Sequence, residues 1–229
     1  MSNTEEAYPN MNKTRFFALT AVALLAFCMV SPAANLFLNG DFENNTAGTT
    51  QFNLSNAAFN SLMADTTAFG TAQEIDIITG TDFGIAPESG NWKLGIHTQT
   101  GGAFDAFSMT LSSSLVSGNS YSLQFFGALF PGLTSTIAIG VSTSPTDFGT
   151  LVFTGSPTSS TAWTQFNTTF SAPVSGSYIT VENVNIGDYS FVDNFSLAGS
   201  TSVPEPSAIL LLGTGVVGLA GVLRRKINL

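Results

Sequence analysis

Hydrophobic and polar residues follow two different patterns along the chain. Between residues 35 and 199, short runs rich in Val, Ile, Thr and Phe alternate with clusters of Gly, Ser, Pro and Asn, without a sustained helical period. This pattern is typical of an all-β sandwich or barrel. Near each end of the chain lies a continuous apolar run instead, at residues 16–30 and 208–223. The sequence therefore predicts one β-domain between two apolar segments.

The central region predicts ten strands. They lie at residues 36–39, 73–79, 92–97, 104–111, 121–130, 135–141, 151–153, 162–170, 178–184 and 190–197. Several of these runs alternate with a period of two, so that Trp92, Leu94 and Ile96 share one face. Residues 44–72 are ambiguous, since they fit either a short helix near 57–64 or a long loop with one strand.

The N-terminal apolar run has the features of a secretory signal peptide. Lys13 and Arg15 precede it, and small residues that suit a cleavage after Ala33 follow it. We predict that residues 1–34 are an extension and signal peptide, used by the Sec translocon and signal peptidase. An uncleaved transmembrane helix is the alternative, and the true start is either Met1 or Met11.

The C-terminal apolar run lies between a proline-rich spacer and a basic end. The spacer is Val203, Pro204, Glu205, Pro206 and Ser207, and its prolines oppose a helix. Residues 208–223 carry no charge and would span about 24 Å as a helix, slightly less than a hydrocarbon core of roughly 30 Å. Arg224, Arg225 and Lys226 would then hold the end on the cytoplasmic side. We predict a transmembrane helix at residues 208–223.

These three parts, in this order, resemble the PEP-CTERM sorting signal of bacteria that secrete extracellular polysaccharide. The resemblance covers residues 201–229. It implies that exosortase, a membrane protease-transpeptidase, processes the chain near Pro204–Pro206. The protein would be anchored in the inner membrane only until that step, and would then be at the cell surface or extracellular. A plain single-span anchor is the alternative.

The charge of the central region limits the possible partners. Residues 35–202 contain 12 Asp and Glu and a single cation, Lys93, so their net charge is 1 − 12 = −11. Such a surface repels nucleic acid, which is therefore excluded as a partner. Cys28, the one cysteine, lies in the signal segment, so a mature protein would have neither disulfides nor thiol chemistry.

A second resemblance concerns the β-domain. Residues 35–43, 90–94, 115–123, 162–166 and 191–197 are similar, in the same order, to landmarks of galactose-binding-like jelly rolls. The resemblance implies that residues 35–200 form a jelly-roll-like β-sandwich, the scaffold of many carbohydrate-binding modules. A different two-sheet Greek-key sandwich is the main alternative.

Asp193 is the most informative polar residue of the predicted domain. In a regular strand it shares a face with Phe191, Phe195 and Leu197, which would turn a carboxylate toward the core. The jelly-roll resemblance implies a structural calcium ion there, with Asp41 or Glu43 and backbone carbonyls near Asn39 supplying further oxygens. The alternative is that Asp193 caps a turn through its own backbone.

Candidate ligand-binding residues are aromatic and polar side chains suited to sugars: Trp92, Phe104, Asp105, Trp163 and Tyr189. Both tryptophans also fit core positions. Catalytic chemistry is poorly supported, because His97 is the sole histidine and no Gly-x-Ser-x-Gly motif is present. We therefore predict a non-enzyme.

Together these features predict an exported bacterial surface or extracellular-matrix protein associated with exopolysaccharide or biofilm. Its partners would be glycans or other matrix proteins. The alternatives are a purely structural matrix protein without a ligand and a glycan-active enzyme on a β-sandwich.

Overall fold

The structure, a computed structural model, describes residues 34–199 and, beyond them, Gly215 alone. Residues 1–33 of the predicted signal segment, the sorting motif and all of the predicted transmembrane helix at 208–223 except Gly215 lie outside the described residues. Within the described part of the chain, no helix is long and apolar enough to cross a membrane.

The described chain consists of strands joined by turns, with one α-helix and one 3-10 turn. The elements are β1 (Gln51–Leu54), α1 (Asn56–Leu62), β2 (Thr66–Ala68), β3 (Ile75–Thr79), the 3-10 turn (Asp82–Gly84), β4 (Trp92–His97), β5 (Ala106–Thr110), β6 (Ser120–Leu129), β7 (Ile137–Ser142), β8 (Thr150–Gly155), β9 (Thr164–Ser171), β10 (Tyr178–Asn183) and β11 (Tyr189–Gly199).

The strands form two antiparallel sheets. The six-stranded sheet has the order β1-β3-β4-β11-β6-β9, and the five-stranded sheet has the order β2-β5-β10-β7-β8. Strands that follow one another in the chain often lie in different sheets, so each sheet contains strands from both the early and the late parts of the domain. The prediction of an all-β, jelly-roll-like sandwich is confirmed.

The main core fills the space between the sheets. It is rich in phenylalanine, and Phe125 stacks on Phe195 with ring centroids 4.9 Å apart and planes 4° apart. Phe42 meets Phe195 edge to face at 5.9 Å. Stacked and edge-to-face rings are the favourable aromatic geometries. In a domain whose sequence offers no disulfide, this apolar burial supplies the main stabilisation.

The ambiguous region 44–72 contains β1, α1 and β2. Ser55 caps α1 by accepting a hydrogen bond from the Ala58 amide at 3.3 Å, and Phe59 is the buried residue of the helix. A short helix near 57–64 was one of the two predictions for this region, and it is confirmed.

The predicted strand at 36–39 is wrong. Leu36 donates its amide to the Leu197 carbonyl, and Gly40 accepts from the Phe195 amide, each at 2.8 Å. Phe37 instead forms an isolated bridge to Leu111, beside the other sheet. The segment forms no regular ladder, because it contacts both sheets in turn.

Candidate functional site

A bulge in β11 decides which of its side chains face outward. The pairing of β11 with β6 shifts between Asp193 and Ser196, and Asn194 has a φ of 51°. Val192, Phe195 and Leu197 therefore belong to the main core, whereas Phe191 belongs to a second apolar cluster. The expectation that Asp193 shares a face with Phe195 and Leu197 is wrong, because the extra residue in the bulge inverts the alternation.

The second cluster lies on the outer face of the six-stranded sheet. Phe191 is fully buried at its centre, with ring centroids of Phe83, Tyr189 and Phe130 at 5.7, 5.3 and 6.3 Å. Those three rings are half-buried, so each also presents part of its surface to solvent. Phe52 is 48% exposed, and its ring centroid lies 5.4 Å from that of Phe83. We name this surface the aromatic face; its residues are Phe52, Phe83, Phe130, Trp163, Tyr189 and Phe191.

Phe83 reaches the aromatic face from the β3–β4 loop, residues 80–91. Its φ is 62°, in the left-handed region that bulky residues rarely occupy. Such strain persists only where the surroundings fix the conformation, and it is common at functional sites. The conformation places the Phe83 ring between those of Phe52 and Phe130.

Lys93 fixes the start of this loop from below. Its side chain is fully buried, and its Nζ donates to the carbonyls of Gly80, Asp82 and Ile85 at 3.4, 3.3 and 2.7 Å. Nζ also lies 5.4 Å from the centroid of the Phe191 ring, a cation–π distance. Burial lowers the pKa of Lys93 to about 8. Lys93, the single Lys or Arg of the domain, therefore binds carbonyl groups of the loop backbone and is not on the surface.

Two carboxylates fix the rest of the loop. Asp193 Oδ2 accepts from the amides of Glu88 and Ser89 at 2.7 and 3.1 Å. Glu43 Oε1 accepts from the amides of Asn91 and Trp92 at 2.6 and 2.9 Å. Backbone amides of the loop are thus paired with buried or half-buried carboxyl groups.

These contacts bear on the predicted calcium residues. Glu43 and Asp193 both contact the β3–β4 loop, but their oxygens accept hydrogen bonds from its backbone amides. Burial raises the pKa of Asp193 to about 7. Asp41 is exposed, and its Oδ1 lies 3.5 Å from the Glu43 amide. Within residues 34–199, no three His, Cys, Asp or Glu side chains are grouped to hold a metal. A calcium ion here would need several backbone carbonyls, and it stays a prediction.

A polar cluster borders the aromatic face at the Tyr189 end. The Tyr189 hydroxyl donates to Asp76, which also accepts from the Asn53 amide at 2.6 Å. The hydroxyl passes over Gly95, where a Cβ would overlap it. Burial raises the pKa of both Asp76 and Tyr189.

Asp105 holds the backbone of Glu74 and His97, the partly exposed residues of the same cluster. Its two oxygens accept from the amides of Glu74 and His97 at 2.9 and 3.0 Å, and burial raises its pKa to about 6. The side chains of Glu74 and His97 meet at 3.3 Å and are 36% and 29% exposed. Donors and acceptors therefore stand beside the half-exposed rings.

The predicted ligand-binding residues separate into two groups. Trp163 and Tyr189 belong to the aromatic face, and Asp105 supports its polar border. Trp163 Nε1 also donates to the Ala86 carbonyl at 3.0 Å, so this ring helps to hold the loop. Trp92 packs against the main core instead, and Phe104 is half-buried in the β4–β5 connection.

The sequence did not indicate the other residues of the aromatic face, which are Phe52, Phe83, Phe130 and Phe191. They come from β1, the β3–β4 loop, the end of β6 and β11, and no spacing connects them. The one available signal was the pair Phe83-Gly84, typical of a turn that needs unusual backbone angles.

Comparison with known families identifies the C-terminal segment. Residues 202–226 match the PEP-CTERM protein-sorting motif, which confirms the resemblance of the C-terminal segment to that sorting signal. The motif indicates an exported protein that is sorted to the cell surface. No curated protein matches the chain.

Solved structures similar to the domain include β-sandwich carbohydrate-binding modules. The CBM22-1 xylan-binding domain of Paenibacillus barcinonensis Xyn10C is 11% identical, with 76% of this chain and 99% of that one covered and a TM-score of 0.43. TmCBM61, solved in complex with β-1,4-galactotriose, is 18% identical, with coverages of 73% and 100% and a TM-score of 0.44. A xylan-binding domain from CBM 22 is 16% identical, with coverages of 75% and 99% and a TM-score of 0.48.

Proposed function

We propose that this chain is a non-catalytic bacterial surface or extracellular-matrix protein that binds glycan on its aromatic face. Exosortase processes it at the sorting motif, after export through the Sec translocon and removal of the signal peptide. Its place is then in exopolysaccharide or biofilm, in contact with glycans and other matrix proteins.

The half-exposed rings of the aromatic face are the observation that carries the glycan proposal. Phe83, Phe130 and Tyr189 present flat apolar surface on a rigid sheet, and Glu74 and His97 offer hydrogen-bonding groups beside them. Apolar surface with a few polar groups is the usual composition of small-ligand sites. A sugar ring has one apolar C–H face and a rim of hydroxyls, which matches this combination.

The charge distribution favours neutral glycans. The one Lys of residues 35–202 is buried under the loop, while Glu74 and Asp82 stand at the border of the aromatic face. An anionic polysaccharide would meet negative charge without an exposed Lys or Arg to offset it. We therefore expect neutral chains to bind more tightly than uronic-acid chains with the same linkage.

Two buried acidic residues beside the aromatic face support a binding role rather than hydrolysis. Asp76 and Asp105 are 3% and 1% exposed, and their oxygens accept hydrogen bonds from Tyr189 and from backbone amides. Glycoside hydrolysis needs two carboxyl groups that reach the scissile bond. This buried pair is instead used to support the site.

Binding of the full chain to a glycan array, with Phe83→Ala and Phe130→Ala variants, tests the ligand proposal. We expect each variant to bind at least about tenfold more weakly than the wild type. Phe148→Ala is the matched control, because Phe148 is also half-buried but lies against β10, where its carbonyl accepts from Thr180. No binding by the wild type would favour a purely structural matrix protein. Release of shortened glycan would identify an enzyme.

Sorting is tested separately in cells that contain exosortase. Replacing Pro204, Glu205 and Pro206 together by alanine should leave the protein at its unprocessed mass and in the membrane fraction. Equal processing of the wild type and the triple variant would contradict the sorting proposal.

A further inference from the structure

Both ends of the described domain emerge at the same pole of the sandwich. The Leu36 amide donates to the Leu197 carbonyl at 2.8 Å, so the first and last segments lie side by side. β11 ends at Gly199, which pairs with Tyr121 near the start of β6. We name this end the terminal pole; it comprises residues 34–36, 111–120, 171–177 and 198–199.

Two serine-rich loops complete the terminal pole and hold each other firmly. The Leu115 amide donates to the Gly176 carbonyl at 2.8 Å, and the hydroxyls of Ser114 and Ser177 meet at 2.7 Å. None of the residues of the pole is charged, although Asp65 lies just outside it, where its carbonyl accepts from the Thr110 amide. The pole is therefore a fixed, neutral surface, and Val116, 54% exposed, projects from it.

The sorting motif follows this pole after very few residues. Four residues, 200–203, separate Gly199 from Pro204. Whatever their conformation, such a chain spans at most about 18 Å from Gly199 to Pro204. Even a compact domain of 100 residues has a radius of gyration of about 13 Å, so its full width is larger than this gap. The terminal pole is therefore the part of the sandwich nearest to an enzyme that holds residues 204–206 in its active site.

We propose that the terminal pole is the surface that exosortase contacts while it processes this chain. The inference rests on the sorting function proposed above, and it adds the face of the substrate domain that meets the enzyme. The aromatic face lies toward the other end of β11, where Tyr189 is about 30 Å from Gly199 at the rise of an extended strand. Glycan binding and processing therefore use opposite ends of the domain.

Charge substitutions at one exposed residue of the pole test this contact. The full chain is expressed in cells with exosortase, and the conversion to the processed mass is followed by pulse-chase. We expect Val116→Glu and Val116→Lys both to slow the conversion severalfold, because either charge must lose its water at a protein contact. Ile186→Glu and Ile186→Lys are matched controls, since Ile186 is an aliphatic residue 67% exposed in the β10–β11 loop at the opposite end. They should be processed at the wild-type rate.

A flexible insertion separates a lost contact from a folding defect. Twelve Gly and Ser residues after Thr201 add a mean reach of roughly 19 Å, enough to move the enzyme away from the pole. In that background we expect the Val116 variants to be processed at the same rate as the parent. A slow rate that persists would show a folding defect and overturn the proposed contact.

Three further outcomes have distinct meanings. Wild-type rates for both Val116 variants would overturn the inference and leave the sorting function intact. Slowing by Val116→Glu but not by Val116→Lys would identify the neighbour as anionic lipid rather than the enzyme, and would also overturn it. A wild-type chain that is not processed, or that is processed without Pro204–Pro206, would refute the sorting function and this inference with it.

Discussion

Replacing Lys93 by methionine tests how the β3–β4 loop is held over the six-stranded sheet. Lys93 is fully buried, and its Nζ donates to three loop carbonyls. Among the described carboxylates, none lies within salt-bridge distance of this Nζ. The folded state therefore contains a buried cation held by carbonyl dipoles and the Phe191 ring, with the charges of Asp82 and Asp193 acting from beyond salt-bridge distance.

The sign of the pH effect follows from the two pKa values of Lys93. Burial lowers the pKa to about 8 in the folded state, whereas the unfolded chain keeps the ordinary value of about 10.4. Between these values the unfolded state binds more protons, so the free energy of unfolding rises with pH. From pH 7 to pH 9.5 the expected rise is about 2 kcal/mol. At or below pH 7 this stabilisation is absent.

Urea denaturation of the wild type and Lys93→Met across pH 7–9.5 measures this rise. The difference in unfolding free energy between the two proteins should change by about 2 kcal/mol over this range. Lys93→Gln, which keeps donors but not the charge, should behave as Lys93→Met does. Parallel pH curves for wild type and both variants would refute the reasoning. Lys93→Met should also weaken glycan binding, because the loop that carries Phe83 loses its anchor.

Four other changes have definite expected outcomes. Gly95→Ala would place a methyl group against the Tyr189 hydroxyl and should cost about 1–3 kcal/mol in urea unfolding, whereas Gly101→Ala, with open space around its Cβ, should not. Phe125→Ala should cost about 3–5 kcal/mol by the same measurement, and a loss below 1 kcal/mol would contradict its place in the stacked core. Burial raises the pKa of Asp105 to about 6, so the wild type should lose roughly 2–3 kcal/mol more stability than Asp105→Asn as the pH rises from 4 to 6.5, and equal losses would contradict this. Calcium should raise the melting temperature if the predicted ion binds, and an unchanged melting temperature would refute it.

Strands β3 to β11 were predictable because each leaves a local mark in the sequence, whereas β1 and β2 lie in the ambiguous region 44–72. Strands such as β4 and β10 bury alternate or continuous apolar residues between Gly, Ser and Asn turns, and their predicted bounds agree with the structure to within one residue. The helix near 57–64 was one of two alternatives for its region, and the structure shows that it begins after a capping serine and buries Phe59.

The orientation of Asp193 was not predictable from alternation. A bulge adds one residue at Asn194 and inverts the alternation of side chains beyond it. Phe195 and Leu197 therefore face the main core, whereas the Asp193 carboxyl group lies on the opposite face, under the β3–β4 loop. Asp193 Oδ1 accepts locally from the Asn194 amide at 2.6 Å, but its Oδ2 accepts from the amides of Glu88 and Ser89, more than 100 residues earlier in the chain. Contacts at such separations leave no periodic signal in the sequence.

The sequence by itself determined the sorting motif, the all-β class and the acidic character of the domain. Each of these depends on contiguous residues or on composition, which do not require knowledge of the folded chain. Only the tertiary structure decided that Phe83, Phe130, Tyr189 and Phe191 form one aromatic face and that Lys93 is buried beneath its loop. The physical reason is that sheet pairing and the β11 bulge, rather than neighbourhood in the sequence, bring these side chains together.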